Sequence, residues 1–296
     1  MKKSVLTILL IAAVTAICAQ KPDKKTVKLE KQLVGSFEEI PDTHYTIEVH
    51  RKDTTEMITR GAEPFRMLQT EVSIASYNRF LEDLKAQGRM AEYEKAQIDT
   101  SRAMPDIAPF YFTHPAYEQY PVTCVSHEGA MLFCRWLTEK AGGGEWEYTL
   151  PTEEEWKCAA QGGKWPAQYS MGGPLTTNGN GVPLYTYLHV DDSHITMQDG
   201  HLVVIEFKEI VVKDSLMEKK FPLYRYKHPT HVYSHHPNLY GLYNMCGNVA
   251  EMVYECGVAF GGSFLDPGYD IRINSEKRYD APSPLIGFRV IARRKK

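Results

Sequence analysis

No run of 18 apolar residues occurs in this 296-residue chain. A bilayer-spanning helix, which needs about 20, is therefore excluded. Net charge is also scant: 34 basic residues stand against 37 acidic ones, for −3. No strong field points to nucleic acid or anionic lipid as a partner. There is no CxxC pair, no HExxH, no phosphate-cradling glycine loop and no GxSxG elbow, so the common zinc, nucleotide and serine-hydrolase signatures are missing. Internal repeats are lacking too. What is present is globular: 43% hydrophobic residues, near half once the 21 glycines are added, which excludes a disordered or collagenous chain. The length suits one large domain or two small ones and buries an ample core without disulfides. Eighteen Tyr, 17 Pro and 21 Gly suggest a loop-rich fold rather than a helical bundle.

The first residues read as a targeting segment. Lys2 and Lys3 precede an apolar run from Val5 to Ala16, the length of a signal h-region. Ala19 at the −1 position predicts a signal peptide over 1–19 and a mature chain from Gln20, hence export to the periplasm, cell surface or medium. Lipid attachment at Cys18 is the alternative, disfavoured by the large Ile17 before it. Five cysteines remain: Cys124, Cys134, Cys158, Cys246 and Cys256. Five cannot all pair. Cys134 and Cys158 fall in apolar helical patterns and read as packing residues.

Lys21 to Lys31 is Lys-rich without periodicity, and residues 20–40 read as a linker. Tyr45, Ile47 and Val49 alternate with polar residues, predicting a half-buried strand. Ser73 can cap a helix carrying Ile74, Tyr77, Phe80, Leu81 and Leu84 and ended by Gly88. Residues 89–120, rich in Pro and Tyr, read as a long surface connection. A second helix starts at Ser126, with Ala130, Phe133, Cys134 and Leu137 on one face, and stops at Gly142 to Gly144. Thr152 and Glu155 form a capping box; capping and the helix dipole account for Glu153, Glu154 and Glu155 better than acid–base chemistry does. Ile195 to Met197 and Leu202 to Phe207 predict a hairpin about Asp199-Gly200, with Ile210 to Val212 as a candidate extension. Strands are expected around Ala259-Phe260 and Phe288 to Ile291.

His228, His231, His235 and His236 cluster within nine residues. Imidazole is a common metal ligand, but Pro229 and Pro237 and the missing periodicity favour a solvated loop. His127, at the start of the second helix, reads as a structural histidine.

Six stretches in fixed order carry more information. They are Thr70-Glu71-Val72-Ser73 with Tyr77 and Phe80; Pro121-Val122 to Ser126 with Cys134-Arg135-Trp136-Leu137; Leu150-Pro151-Thr152 to Trp156 with Gly162-Gly163; Pro237-Asn238 and Gly241-Leu242-Tyr243-Asn244-Met245 with Gly247-Asn248-Val249 and Glu251; Gly261-Gly262-Ser263-Phe264; and Gly287-Phe288-Arg289. Together they resemble the formylglycine-generating enzyme, or sulfatase-modifying factor, family, over about residues 60 to 292. The resemblance implies an α+β, C-type-lectin-like fold with few helices, short antiparallel strands and many loops. It implies a single domain over 41–296, with the hairpin near 195–213 as an insertion. The stretch Tyr111 to Pro121 looks most like a non-catalytic branch associated with gliding motility and secretion.

In that family two cysteines follow the Gly-Gly-Ser motif and hold Cu(I), and one of them engages the substrate thiol. Asp266 and Ile271 occupy their positions here, and no cysteine follows Cys256. A carboxylate is a hard ligand and isoleucine is none, so neither copper nor formylglycine chemistry is expected, and no catalytic residue is assigned. The resemblance also implies a structural calcium held by the Asn244 side chain, the Gly247 and Val249 carbonyls and the Glu251 side chain, a hard oxygen set. Against it stands a loop closed by hydrogen bonds alone, with Glu251 in a core ion pair. The expected function is an exported, non-catalytic binding or scaffold component of the bacterial envelope with a protein partner. A metal-dependent oxidoreductase using His228, His231 or His235, and a carbohydrate-binding lectin-like module, are the alternatives.

Overall fold

The computed structural model describes residues 22–51, 54–141, 144–172, 185, 195–198, 201–204, 228–268 and 270–295, and for 45–51, 54–58, 195–198 and 201–204 the backbone alone. The chain runs α1 (Lys24–Leu33), β1 (Phe37–Ile40), β2 (Thr43–Arg51), β3 (Thr54–Ala62), β4 (Phe65–Leu68), α2 (Ile74–Ala86), α3 (Met90–Ala96), α4 (Ala108–Tyr111), α5 (His127–Lys140), β5 (Trp146–Thr149), α6 (Glu153–Gln161), β6 (Ile195–Gln198), β7 (His201–Val204), β8 (Ala250–Met252), β9 (Val258–Phe260), β10 (Glu276–Arg278), β11 (Ile286–Phe288) and β12 (Ile291–Arg294). Two four-stranded sheets, β1-β4-β12-β5 and β10-β9-β8-β11, form the frame, beside the hairpins β2-β3 and β6-β7. Every pair is antiparallel except β8 with β11. The α+β class is as expected. No described helix is long and apolar enough to cross a membrane.

The three capped helices form where expected, because each has an acceptor ready for its orphan N–H groups. Ser73 Oγ accepts from Ser76 N at 3.3 Å, Ser126 Oγ from Gly129 N at 3.0 Å, and Thr152 and Glu155 make the reciprocal box. Each cap is worth about 1 kcal/mol. Gly162 ends α6 with φ at +55°, a left-handed turn that favours glycine. The backbone of β6-β7 pairs as expected from Ile195 to Val204, with Gln198 opposite His201; Asp199-Gly200, the expected strand residues 205–207 and Ile210 to Val212 lie outside the described residues.

The periodic faces of α2 and α5 meet in an aromatic lattice. Tyr77 stacks on Phe133 at 5.7 Å, Phe80 meets Phe133 edge-on at 5.5 Å, and Phe288 of β11 meets Phe133 at 5.5 Å. Such pairs add about 0.5–1.5 kcal/mol each beyond burial. A second cluster gathers Trp156, Phe260, Cys246, Ile271 and Ile291.

Three expectations are corrected. Residues 20–40 are no simple linker: α1 is capped by Asp23, whose carboxylate accepts from Thr26 N at 2.8 Å, and β1 pairs with β4. The anchor is polar, which apolar periodicity does not register. Glu30, 2% exposed, takes two bonds from Arg66 at 2.8 Å each and one from Tyr148 Oη at 2.7 Å. The Arg66 guanidinium lies over the Phe37 and Trp146 rings, 5.2 and 5.0 Å from their centroids. Residues 89–120 hold α3, α4 and two 3-10 turns, pinned by Ala96, Tyr111 and Phe112, all buried. The strand expected across Phe288 to Ile291 is split into β11 and β12, because Arg289 leaves the ladder to serve the interior.

Candidate functional site

Arg289 is fully buried and spends every N–H it has. Nε lies 3.1 and 3.0 Å from the two Glu251 oxygens, Nη2 donates to Glu251 Oε1 and the Tyr243 carbonyl at 2.6 Å each, and Nη1 donates to the Leu68 and Gln69 carbonyls at 3.0 and 2.6 Å. Trp156 Nε1, carried in from α6, donates to Glu251 Oε2 at 2.8 Å. One guanidinium thus ties β4, the 243–248 loop, β8 and the end of β11 together.

A second carboxylate, Glu71, lies at the same centre and is 1% exposed. Its oxygens accept from Asn248 Nδ2 at 2.8 Å and Asn244 Nδ2 at 3.2 Å. Burial raises the Glu71 carboxyl to about 7; Arg289 opposes the rise and the Glu251 charge adds to it. Asn244 and Asn248 adopt left-handed backbone, φ 53° and 64°, a conformation Asn tolerates better than most residues. Their side chains thereby turn toward Glu71.

Of the predicted calcium ligands, Glu251 already has another role. Each of its oxygens carries two hydrogen bonds, and Arg289 neutralises its charge. Asn244 presents donors, to Glu71 and to the Val232 carbonyl at 3.0 Å. In this arrangement Glu251 is held by Arg289 and Trp156 and Asn244 Nδ2 faces Glu71, so a calcium at Asn244, Gly247, Val249 and Glu251 would compete with those bonds for the Glu251 oxygens.

Asp266 and Ile271, at the positions of the family's cysteines, are used structurally. Asp266 Oδ2 accepts from Ser263 N and Oγ at 2.7 Å each, and Lys277 Nζ sits 2.6 Å from both carboxylate oxygens. Ile271 is fully buried and packs against Gly262, where an added Cβ would meet the Ile271 side chain at 2.8 Å. Asp270, next to it, has its carboxyl raised by burial and by the charge of Asp266. An ion pair and an apolar plug therefore fill this end of the Gly261-Gly262-Ser263 turn.

The five described cysteines are free thiols, and Cys256 alone among them is exposed. Cys134 and Cys158 are buried as expected. Burial raises Cys124 and Cys158 to about 11 and Cys246 to about 12, so all three are unreactive at neutral pH. Among the described residues no three of His, Cys, Asp and Glu converge as a metal group. His228 Nδ1 lies 2.9 Å from the Pro229 carbonyl, and His231 Nδ1 accepts from Tyr233 N at 3.1 Å. Burial lowers the His231 pKa. His127 Nε2 lies 3.0 Å from the Val253 carbonyl, a structural contact. The roles of Glu71 and Arg289 were not foreseen. For Arg289 the signal was a charge set directly between the apolar Phe288 and Val290; Glu71, between Thr70 and Val72, gave a weaker one.

These features define a mixed α+β domain closed by a buried Arg–Glu centre, with a plugged turn after its Gly-Gly-Ser stretch. Residues 34–294 match the sulfatase-modifying factor enzyme 1-like domain, and the chain belongs to that family. Its fold is similar to that of PvdO from Pseudomonas aeruginosa (17% identity, 86% of this chain and 93% of that one covered, TM-score 0.52). It is similar also to Treponema denticola variable protein 1 (16%, 88% and 97%, 0.55) and to CarF (18%, 88% and 98%, 0.52). At these identities the likeness concerns the fold. No curated protein matches the chain.

Proposed function

We propose that this chain is a non-catalytic member of the sulfatase-modifying factor family, an exported binding or scaffold component of the bacterial envelope. The observation that carries the reading is the pair Asp266 and Ile271. Copper activation of oxygen in this family needs two soft thiolates after the Gly-Gly-Ser turn. Here one position holds a carboxylate locked to Lys277 and Ser263, and the other holds a core side chain. The buried cysteines do not substitute: Cys246 precedes the turn and accepts a bond from Ser170 N at 3.3 Å. Export rests on the Lys2-Lys3 and Val5–Ala16 segment, and a role in gliding or secretion machinery on the likeness of Tyr111 to Pro121 to that branch.

Incubating the folded protein with copper, oxygen, reductant and a sulfatase-type Cys-x-Pro-x-Arg peptide is expected to leave the peptide mass unchanged while a control enzyme converts it. Aldehyde formation that disappears on Cys246→Ser would overturn the reading.

A further inference from the structure

Between the C-terminal end of α1, the first turns of α2 and the 231–233 turn lies a cleft of about 250 Å³. It shares no residue with the Asp266–Lys277 pair. Its floor is hydroxylic: Thr70, Ser73 and Ser76 line it and are 3%, 5% and 6% exposed. Thr70 Oγ1 donates to the Glu71 carbonyl and Ser73 Oγ donates to Ser76 Oγ at 3.1 Å. Ser73 and Ser76 thus bond to each other and line the cleft as nearly buried hydroxyls. Hydroxyls can donate to, or accept from, the polar groups of a ligand that enters the cleft.

The rim is cationic. Lys31 and Arg79 line it, and no Asp or Glu does. Lys31 makes no ion pair or hydrogen bond among the described residues. Arg79 uses Nη1 alone, on the Gln32 and Leu33 carbonyls at 2.5 and 3.0 Å, which tethers α1 to α2. Its Nε and Nη2 remain free to form the planar fork that suits a carboxylate or sulfate.

One wall is aromatic. The Tyr233 ring is 42% exposed and continues into a row of rings: Tyr243 at 5.2 Å on one side and His231 at 6.0 Å on the other, followed by Tyr120 at 6.2 Å and Tyr117 at 5.1 Å. Tyr233 is exposed and Tyr243, Tyr120 and Tyr117 are half-buried; such rings offer flat apolar faces with polar edges. A sugar ring has the matching shape, with a C–H face to lay on the ring and hydroxyls at its perimeter. Inorganic phosphate would use the cations and leave the rings idle. A peptide carboxylate would use the fork but has no flat C–H face for Tyr233.

We propose that this cleft binds an acidic sugar unit, a pyranose ring bearing a carboxylate or a sulfate, with neighbouring units of the same chain running over the tyrosine row. Its volume is below the roughly 300–1,000 Å³ of pockets for drug-sized ligands, which suits one ring inside. The inference goes beyond the non-catalytic reading and does not depend on it, since the cleft and the family's cysteine positions are separate.

The test is calorimetric titration of the full chain at low salt with trigalacturonate and with a sulfated galactose trimer, which separates the two acidic groups. Neutral trigalactose, inorganic phosphate and a glutamate tripeptide are the controls. Saturable binding of at least one acidic trimer is expected, about tenfold or more tighter than any control. Lys31→Gln and Tyr233→Ala should each weaken it about tenfold, the scale of one lost charge-assisted bond or ring contact. Lys31 is exposed and without partners, so its variant folds as the parent does; melting curves check both variants. No saturable binding by either acidic trimer, equal binding of the neutral trimer or the glutamate peptide, or indifference to both variants would overturn the proposal.

Discussion

Replacing Glu71 by glutamine probes the buried centre through its pH dependence. The folded chain holds Glu71 among Asn244, Asn248, Glu251 and Arg289 and raises its carboxyl from 4.5 to about 7. The folded state therefore keeps this proton more tightly than the unfolded chain does. The stabilisation it gives is complete below about pH 4.5 and is lost as pH rises through about 7. At about 1.4 kcal/mol per unit, that window carries up to about 3 kcal/mol. Glutamine has the shape of the neutral acid and no proton to lose, so E71Q removes this contribution to the slope. One cost is independent of pH: the new amide faces the Asn244 amide donor, worth about 1 kcal/mol. The readout is accordingly the difference between variant and parent across pH, not its absolute value. Urea unfolding at intervals from about pH 5 to pH 8 should show E71Q gaining on the parent by roughly 2–3 kcal/mol. A difference that stays flat across that range would refute the shared Glu71–Glu251–Arg289 centre.

Arg289→Met should cost about 4 kcal/mol or more by leaving Glu251 and Glu71 buried without their cation, seen as a collapse of the urea midpoint or of soluble yield. A Glu251→Gln/Arg289→Met pair should recover part of that loss, and failure to recover any would place the damage elsewhere. Calcium and chelator are each expected to leave the melting temperature unchanged, because Glu251 is occupied by Arg289 and Trp156. A fall with chelator that calcium reverses would show that Asn244, Gly247, Val249 and Glu251 form a cation site after all.

The sequence made legible what rests on local rules. Ser73, Ser126 and Thr152 announce helices because capping is chemistry within three residues, and the apolar faces of α2 and α5 follow from their spacing. Asp266 and Ile271 stood out because two specific thiols were missing. What stayed hidden depends on partners far along the chain. Glu30 is 36 residues from Arg66 and 118 from Tyr148, so a Lys-rich stretch without periodicity gave no hint of a docked helix. Glu251 is 38 residues from Arg289 and 95 from Trp156. Its ordered oxygens read equally well as cation ligands or as half of an ion pair, and only the guanidinium's position separates the two. The cleft beside Tyr233 was invisible for the same reason, since Lys31, Ser76 and Tyr233 share no motif.

The place of β12 in its sheet bears on the order of events at synthesis. Ile291–Arg294 lies between β4 and β5, which do not pair with each other, and Arg289 closes the centre just before it. Until residues 289–294 have left the ribosome, the first half of the sheet has an open flank and Glu251 lacks its Arg289 counter-charge. Segment-by-segment folding during translation, common for N-terminal units, would stall short of the native state. Completion of both the sheet and the buried centre thus waits on the segment from Arg289 to Arg294.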